Sequence, residues 1–200
     1  LKTTSVGGAT LDGANQVTSF NGTNSGSGDI KLVNTAAPLT ITGISQAGGG
    51  DAIISNTGDI AISGAATITG GKLSLTSSGA ISQTAAGTIN AGTLTVSAGA
   101  TVLLDQGNTI GNLGAFASNG AFTLNDTTGG LNVTGAVSDA SGLVSITTAG
   151  GALAVTTGSV AGNGVTLTAS GAMSDIALNG VVNGNAGAVT LNAGRLISQT

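Results

Sequence analysis

The sequence predicts an all-β fold, a parallel β-helix (β-solenoid) of about eight coils, each 20–24 residues long with three short strands. Apolar residues recur with a period of about 21 residues along most of the chain. Within each period, short fragments alternate apolar and small polar residues, as strands with one buried face do. Helical signals are nearly absent, since 36 of the 200 residues are glycine and no apolar stripe follows a helical period.

The predicted strands are fragments whose apolar ends face one way, with a small polar residue between them. Clusters of Gly, Asn, Ser and Ala separate the fragments and indicate turns. These clusters include five Asn-Gly pairs, which begin at Asn21, Asn119, Asn163, Asn179 and Asn183. The fragments are Leu39–Ile41, Leu73–Leu75, Leu94–Val96, Phe122–Leu124, Leu131–Val133, Val144–Ile146, Leu153–Val155, Val165–Leu167 and Val189–Leu191.

Three columns of apolar positions, each stepping by 20–24 residues, define the predicted coil. All three columns lengthen by about six residues at one place, which predicts a loop insertion near residues 111–121. Its apolar residue, Phe116, either projects in a binding loop or covers an apolar patch on the side of the rod. The columns are Ile30, Ile53, Leu73, Leu94, Phe122, Val144, Val165 and Val189; Leu39, Ile60, Ile81, Val102, Leu131 and Leu153; and Ile44, Ile68, Ile89, Ile110, Val137, Val160 and Val181.

The domain prediction is a weakly patterned partial coil over residues 1–28, followed by the β-helix repeat region over residues 29–200. The final segment Ile197–Thr200 repeats Ile81–Thr84, which lies in the middle of the repeat region. No capping segment is recognisable at either end. We therefore expect a fragment of a longer solenoid, with end-to-end association through uncapped coils as one consequence.

Two segments carry a resemblance to a known family. Asn15–Thr23, continuing through Gly28–Leu32 to Pro38–Ile44, and also Phe122–Gly135, resemble the repeat region of filamentous-haemagglutinin-like adhesins. These adhesins are large exoproteins of Gram-negative bacteria, often exported by two-partner secretion, and autotransporter passengers are similar. The resemblance covers nearly the whole chain through degenerate repeats. It implies a right-handed parallel β-helix, a secreted or cell-surface location, and a role as stalk or adhesin.

Composition excludes several classes of function. The chain has no Cys and no His, so neither thiolate metal sites nor imidazole chemistry are available, and we expect no cofactor and no metal. Only four residues are basic, too few for a surface that follows a phosphate backbone, so we expect no nucleic-acid partner. No apolar run is long enough to cross a bilayer, and three phenylalanines cannot supply the aromatic girdles of a membrane barrel.

Paired carboxylates raise the alternative of a polysaccharide-active β-helix enzyme. Asp29 and Asp51 are one period apart and are predicted to lie on adjacent coils. A glycosidase needs two carboxyl groups with separated pKa values in a groove, together with aromatic residues that stack on the sugar. The chain has no Glu, Tyr or Trp, so we interpret these aspartates as residues that begin strands or hold turns.

An outward column of small hydroxyl residues is the candidate binding face, made of Ser74, Thr95, Thr123, Ser145, Thr166 and Thr190. A second column two residues on completes a flat array of hydroxyl and amide groups. Ice-binding solenoids use such arrays of threonine, which makes ice binding an alternative function. The mixture of Ser and Asn with Thr favours the simpler interpretation that small polar residues suit an exposed strand face.

The sequence thus predicts a non-enzymatic stalk or adhesin segment of a bacterial surface-exposed or secreted exoprotein. Its task would be mechanical, as a stiff spacer that holds a binding region away from the outer membrane. A host-cell or surface glycan or protein receptor would be contacted through the parent protein.

Overall fold

The computed structural model describes residues 1–200 and contains twenty-two strands and no helix. All strand pairings are parallel, and each joins one coil to the next along a β-solenoid of about nine turns. The all-β solenoid prediction is therefore confirmed, with about one coil more than the expected eight.

The strands of the first half of the chain are longer and less regular than those of the second half. Those of the first half are β1 Lys2–Ser5, β2 Ala9–Asn15, β3 Ser19–Asn24, β4 Ile30–Thr35, β5 Leu39–Gln46, β6 Ala52–Thr57, β7 Ile60–Ile62, β8 Ala66–Ser77, β9 Ile81–Gln83, β10 Ile89–Ala98 and β11 Val102–Ser118. Those of the second half are β12 Phe122–Asp126, β13 Leu131–Val133, β14 Ala136–Asp139, β15 Val144–Thr148, β16 Leu153–Val155, β17 Ser159–Ala161, β18 Val165–Ala169, β19 Ile176–Leu178, β20 Val181–Asn183, β21 Val189–Ala193 and β22 Ile197–Gln199.

The core is a set of apolar stacks that run along the axis of the solenoid. Every second residue of a strand points inward, and each inward residue lies over its counterpart on the next coil. The stack Leu39, Ile60, Ile81 and Val102 is continuous and fully buried, as the second predicted column required. One cluster of 39 buried apolar residues runs through the molecule. Burial of each such aliphatic side chain stabilises the fold by roughly 1.5–3 kcal/mol.

Polar side chains that point inward hold the corners between strands. Asn34 donates through Nδ2 to Asn56 Oδ1 on the next coil (2.9 Å), and Gln83 Nε2 donates to Asn108 Oδ1 (2.6 Å). Asn108 also donates through Nδ2 to the backbone carbonyl of Leu104 and accepts the N–H of Ile89. These buried amides supply partners to the backbone groups that leave the strand ladder at a corner.

The predicted loop insertion near residues 111–121 is not present. Strand β11 runs without interruption from Val102 to Ser118, and the coil length there is ordinary. Leu94 pairs with Leu113, and Val102 pairs with Phe122, steps of 19 and 20 residues. The predicted first column joined Leu94 to Phe122 directly, although the two residues lie on neighbouring faces of the solenoid.

The error has a physical cause, which is that the longest strand of the coil changes face within β11. On the face of β4 and β6 the strands are six residues long before β11 and three residues long after it, in β13 and β16. On the neighbouring face they lengthen from three residues, in β7 and β9, to five residues, in β12, β15 and β18. Both sets have the same alternation, so the sequence pattern cannot distinguish them. The change coincides with a register shift opposite Thr95, where Leu94 pairs with Leu113 but Val96 pairs with Phe116.

Phe116, predicted as a loop residue, lies in the core instead. It points inward from β11 with 2% of its surface exposed, and it pairs with Val96 below and Val137 above. Its ring stacks on that of Phe122 with centroids 3.7 Å apart. The two largest side chains of this region therefore fill the core where the longest strand changes face.

Residues 1–28 contribute more regular structure than the predicted partial coil. Strand β1 pairs with β3, and β2 pairs with β4, so that Lys2 lies beneath Asn21 and Ala9 beneath Ile30. Strands β1 and β2 form the first coil of the solenoid, and β3 begins the second coil. The side chains of the first coil are more exposed than those of later coils because only one neighbouring coil covers them.

The inward and outward assignment can be tested at two positions one coil apart. Val144 is fully buried between Phe122 and Val165, so Val144→Asp should lower the free energy of unfolding by about 3–5 kcal/mol through an unpaired buried charge. Thr166 points outward from β18, and Thr166→Asp should cost no more than about 1 kcal/mol. Urea denaturation of both variants measures the difference, and equal losses would contradict the assignment.

Candidate functional site

The candidate binding face lies on the second half of the solenoid, where four five-residue strands stack in register. Strands β12, β15, β18 and β21 pair residue by residue without a bulge. Their outward residues therefore form two straight columns, which together we call the hydroxyl array. Its members are Thr123, Ser145, Thr166 and Thr190 in the first column, and Asn125, Thr147, Thr168 and Asn192 in the second.

The spacing of the array follows from β geometry. Neighbouring coils are about 4.8 Å apart, and residues two positions apart on one strand are separated by about 6.6 Å. The array is thus a nearly rectangular grid of small polar groups. Because every member sits on a strand that is paired in register, the grid is rigid and flat.

The hydroxyl groups of the array make no hydrogen bond to other protein groups. This distinguishes them from the hydroxyl residues at corners, which donate to carbonyl groups of the preceding coil. Thr134 Oγ1 donates to Leu113 O (3.3 Å), and Thr156 Oγ1 donates to Val133 O (3.2 Å). The array hydroxyls are free to contact solvent or a ligand, whereas the corner hydroxyls serve the fold.

The structure divides the predicted face into two parts. Four of the six predicted residues, Thr123, Ser145, Thr166 and Thr190, belong to the hydroxyl array. Ser74 and Thr95 lie together on the neighbouring face, where Ser74 pairs with Ile53. The reason is again the change of face by the longest strand, which separates residues that the sequence pattern aligns.

The surface around the hydroxyl array carries little charge, and exposed Asp105 borders it on the preceding coil, where its backbone carbonyl accepts from Asn125 Nδ2 (3.4 Å). From Gln106 to Ser174 the only ionisable side chains are Asp126 and Asp139, and both are buried. Near the last coil, Arg195 hydrogen-bonds to Asp175, which lowers the pKa of that carboxyl and raises the pKa of the guanidinium group. A ligand that fits the array is therefore expected to be neutral and to bind through hydrogen bonds.

The aspartates of the first half have structural roles. Asp29 Oδ1 accepts the backbone N–H of Asp51, and Asp51 Oδ1 accepts that of Lys72 (2.9 Å). Asp59 accepts the N–H of Ala80 in the same way. These carboxylates begin strands and satisfy the amide of the next coil, as we interpreted them from the sequence. Asp51 also forms an exposed ion pair with Lys72 Nζ at 3.2 Å.

Two buried carboxyl groups in the second half were missed by sequence reasoning. Asp126 is completely buried, accepts the N–H of Ile110 through Oδ1, and has no partner for Oδ2. Asp139 is also buried, but it accepts bonds from Ser118 Oγ and from two backbone N–H groups that follow it. The alternation of inward and outward residues along β12 could have predicted the burial of Asp126, because Asp126 follows the inward residues Phe122 and Leu124 at the same two-residue spacing.

Burial raises the pKa of Asp126 from its ordinary value of 3.8 to about 6, against the lowering effect of the hydrogen bond from the Ile110 N–H. The charged form is disfavoured because no cation is near and Oδ2 has no donor. Its neighbours along the stack, Asn108 and Thr148, are neutral. The fold therefore holds this carboxyl most favourably when it is protonated.

The surface has no pocket, and no group of three or more acidic residues is close enough to hold a metal ion. The structure contains no helix that could cross a membrane. Comparisons with protein-family models, with curated proteins and with solved structures find no match. The resemblance to filamentous-haemagglutinin-like adhesins therefore stays a prediction from the sequence.

The Asp126 carboxyl predicts a specific pH dependence of stability. Its pKa is higher in the folded than in the unfolded protein, so between pH 3.8 and about 6 the folded state binds more protons. The contribution of this group to stability is present below that window and is lost as the pH rises through it, by about 2–3 kcal/mol. Asp126→Asn should abolish this loss and stabilise the protein at neutral pH.

Urea denaturation of wild type and variant at several pH values across this window measures the effect. Asp59→Asn is the matched control, since Asp59 is exposed and its oxygen accepts a single backbone N–H, which an Asn oxygen also accepts. Identical pH profiles for wild type and Asp126→Asn would show that Asp126 titrates normally in the folded protein.

Proposed function

We propose that this chain is a structural, non-catalytic stalk segment of a bacterial surface-exposed or secreted filamentous exoprotein of the adhesin type. The observation that carries the proposal is the single 22-stranded parallel sheet that joins all coils. Such a sheet, wound into stacked coils, makes a rod, and a rod can hold another region at a distance.

The mechanical argument rests on the direction of the bonds. Backbone hydrogen bonds between coils run along the axis of the solenoid, and the buried stacks run parallel to them. Bending the rod would open one side of this ladder and pull apart close-packed aliphatic side chains. About nine coils at 4.8 Å each give a rod roughly 43 Å long.

The composition of the surface supports a role outside the cell. No basic residue lies between Lys72 and Arg195, so this region has no cleavage site for trypsin-like proteases. Turns are short and tied to the preceding coil, as in the bond from Ser170 Oγ to Thr148 O. Both features favour survival among extracellular proteases.

Partners enter the proposal at two places. A host-cell or surface glycan or protein receptor would bind elsewhere in the parent protein and not at the hydroxyl array of this segment. End-to-end association would use the last coil, where Val189 and Ile197 are each 44% exposed. Their counterparts on the preceding coil, Val165 and Ile176, are fully buried because another coil covers them.

We do not propose the polysaccharide-active enzyme. Asp29 and Asp51, the stacked pair that suggested it, each accept the backbone N–H of the following coil. The basic partner that such chemistry would need, Arg195, is bonded to Asp175 in the last coils.

The stalk proposal predicts resistance to a protease of broad specificity. The native protein should stay intact under conditions that degrade Val144→Asp, because digestion requires opening of coils and the variant opens more easily. Gel analysis over time measures this, and Thr166→Asp serves as the control that should survive like wild type. Rapid internal cleavage of the native protein would contradict the proposal.

The same proposal predicts that the segment by itself does not bind cells. Labelled protein should show no saturable binding to mammalian cells, because the receptor-binding region is assigned to another part of the parent. Saturable binding that Thr166→Asp abolishes would instead show that the hydroxyl array is the adhesive surface.

Ice binding is the second candidate, favoured by the in-register grid of hydroxyl groups with no bonds to protein. Only five of the eight array positions are Thr, and Asn occupies two of them. We therefore expect no thermal hysteresis from the purified protein. Thermal hysteresis that disappears in Thr166→Asp would reverse the choice between the two functions.

A further inference from the structure

We propose that Asn119 is a site of spontaneous covalent modification, at which its carboxamide converts to aspartate and isoaspartate through a succinimide. The inference rests on the placement of Asn119 and Gly120 in the turn between β11 and β12 and does not depend on the proposed function. It distinguishes this pair from the four other Asn-Gly pairs in the sequence.

The reaction is an intramolecular acyl transfer. The backbone nitrogen of Gly120 loses its proton and attacks Cγ of Asn119, so that an N–Cγ bond forms and the bond from Cγ to Nδ2 breaks. Ammonia leaves and a five-membered succinimide remains. Water then opens either carbonyl of the ring, which yields aspartate or isoaspartate with no change of oxidation state.

The Asn119–Gly120 pair meets the requirements of this reaction. Asn119 is exposed, lies outside the strands, and its side chain makes no hydrogen bond. The N–H of Gly120 donates to no acceptor in the protein. The nucleophile is thus available, and Gly120 carries no side chain that would block its approach to Cγ.

The other pairs are restrained. Gly164 N–H donates to Gly184 O (2.9 Å), and Gly180 N–H donates to Val155 O (3.0 Å), so the nitrogens that would attack Asn163 and Asn179 are occupied. A backbone N–H held in this way becomes reactive only when the local structure opens.

The remaining two pairs are restrained differently. Asn21 lies inside β3, which is paired on both sides and keeps the backbone extended. At Asn183 the side-chain Oδ1 accepts the N–H of Asn185 (2.8 Å), which holds the carboxamide in a turn. Of the five pairs, only Asn119–Gly120 combines a free side chain, a free nitrogen and exposure.

Modification would change a surface that is otherwise uncharged. From Gln106 to Ser174 both ionisable residues are buried, so the new carboxylate would be the first exposed charge of this region. It would lie one residue after Ser118, whose hydroxyl donates to buried Asp139 on the next coil. The isoaspartate form would also lengthen the backbone of this turn by one atom.

The test is to incubate the full-length protein at mildly alkaline pH and follow each Asn-Gly pair by peptide mass spectrometry and isoaspartate-specific methylation. We expect conversion at Asn119 to be at least about tenfold faster than at Asn163 and Asn179 in the native protein, because those sites need local opening. In strong denaturant the five pairs should react at similar rates. Digestion needs a protease that does not depend on basic residues.

Native-state conversion at Asn119 no faster than at Asn163 or Asn179 would overturn the proposal. So would an Asn119 that converts in denaturant but stays unmodified in the folded protein. Asn119→Ser is the matched variant, expected to lose conversion at this position with an unchanged melting temperature and unchanged rates at the other pairs. Gly120→Ala is unsuitable, since the added Cβ would lie 2.8 Å from Thr101 N.

Discussion

The in-register parallel pairing of each coil with the next is the interaction on which the rest of this structure depends. It satisfies the backbone amides without help from side chains, which explains how a protein with 6% charged residues and almost no aromatic residues can fold. It also places each inward aliphatic side chain over another, so the core is built from axial stacks of mostly aliphatic side chains and needs few large ones. Rigidity, flatness of the outer faces and exposure of the end coils all follow from the same pairing.

At the corners of each coil, backbone N–H and carbonyl groups leave the strand pairing and need other hydrogen-bond partners. Inward amides such as Asn34 and Asn56 bond across coils, and corner hydroxyls such as Thr134 donate to the carbonyl groups below them. Gln46 and Asp126 are exceptions, because each has one buried side-chain oxygen without a partner. The outward hydroxyl groups of the array make no hydrogen bond to the protein, and for this reason the array is the candidate contact surface of the segment.

Much of the fold could be predicted because strand alternation and coil period are local properties. The stack of Leu39, Ile60, Ile81 and Val102 and the later stack of Val144, Val165 and Val189 were both correct. The register of the third predicted column was wrong, because Ile44 pairs with Ala66 and Ile68 pairs with Ala91. The first column failed where two faces share one pattern, so that Leu94 was joined to Phe122 when its partner is Leu113. That error turned a continuous strand into a loop, placed Phe116 outside the core, and merged Ser74 and Thr95 with residues of the neighbouring face.

The sequence by itself determined the class of fold, since few folds other than a β-solenoid combine strand alternation with a period of about 21 residues. It also determined which residues face inward in most strands, although Ile53 and Val181, which it placed in the inward columns, point outward. Only the tertiary structure decided which face each strand occupies, because that depends on where corners fall and the pattern is the same on every face. Only the tertiary structure showed which hydroxyl groups are free and which are hydrogen-bonded. It also showed that the Gly120 N–H is free, whereas those of Gly164 and Gly180 are bonded. Hydrogen bonds between coils join residues about 20 positions apart, so no local sequence pattern predicts them.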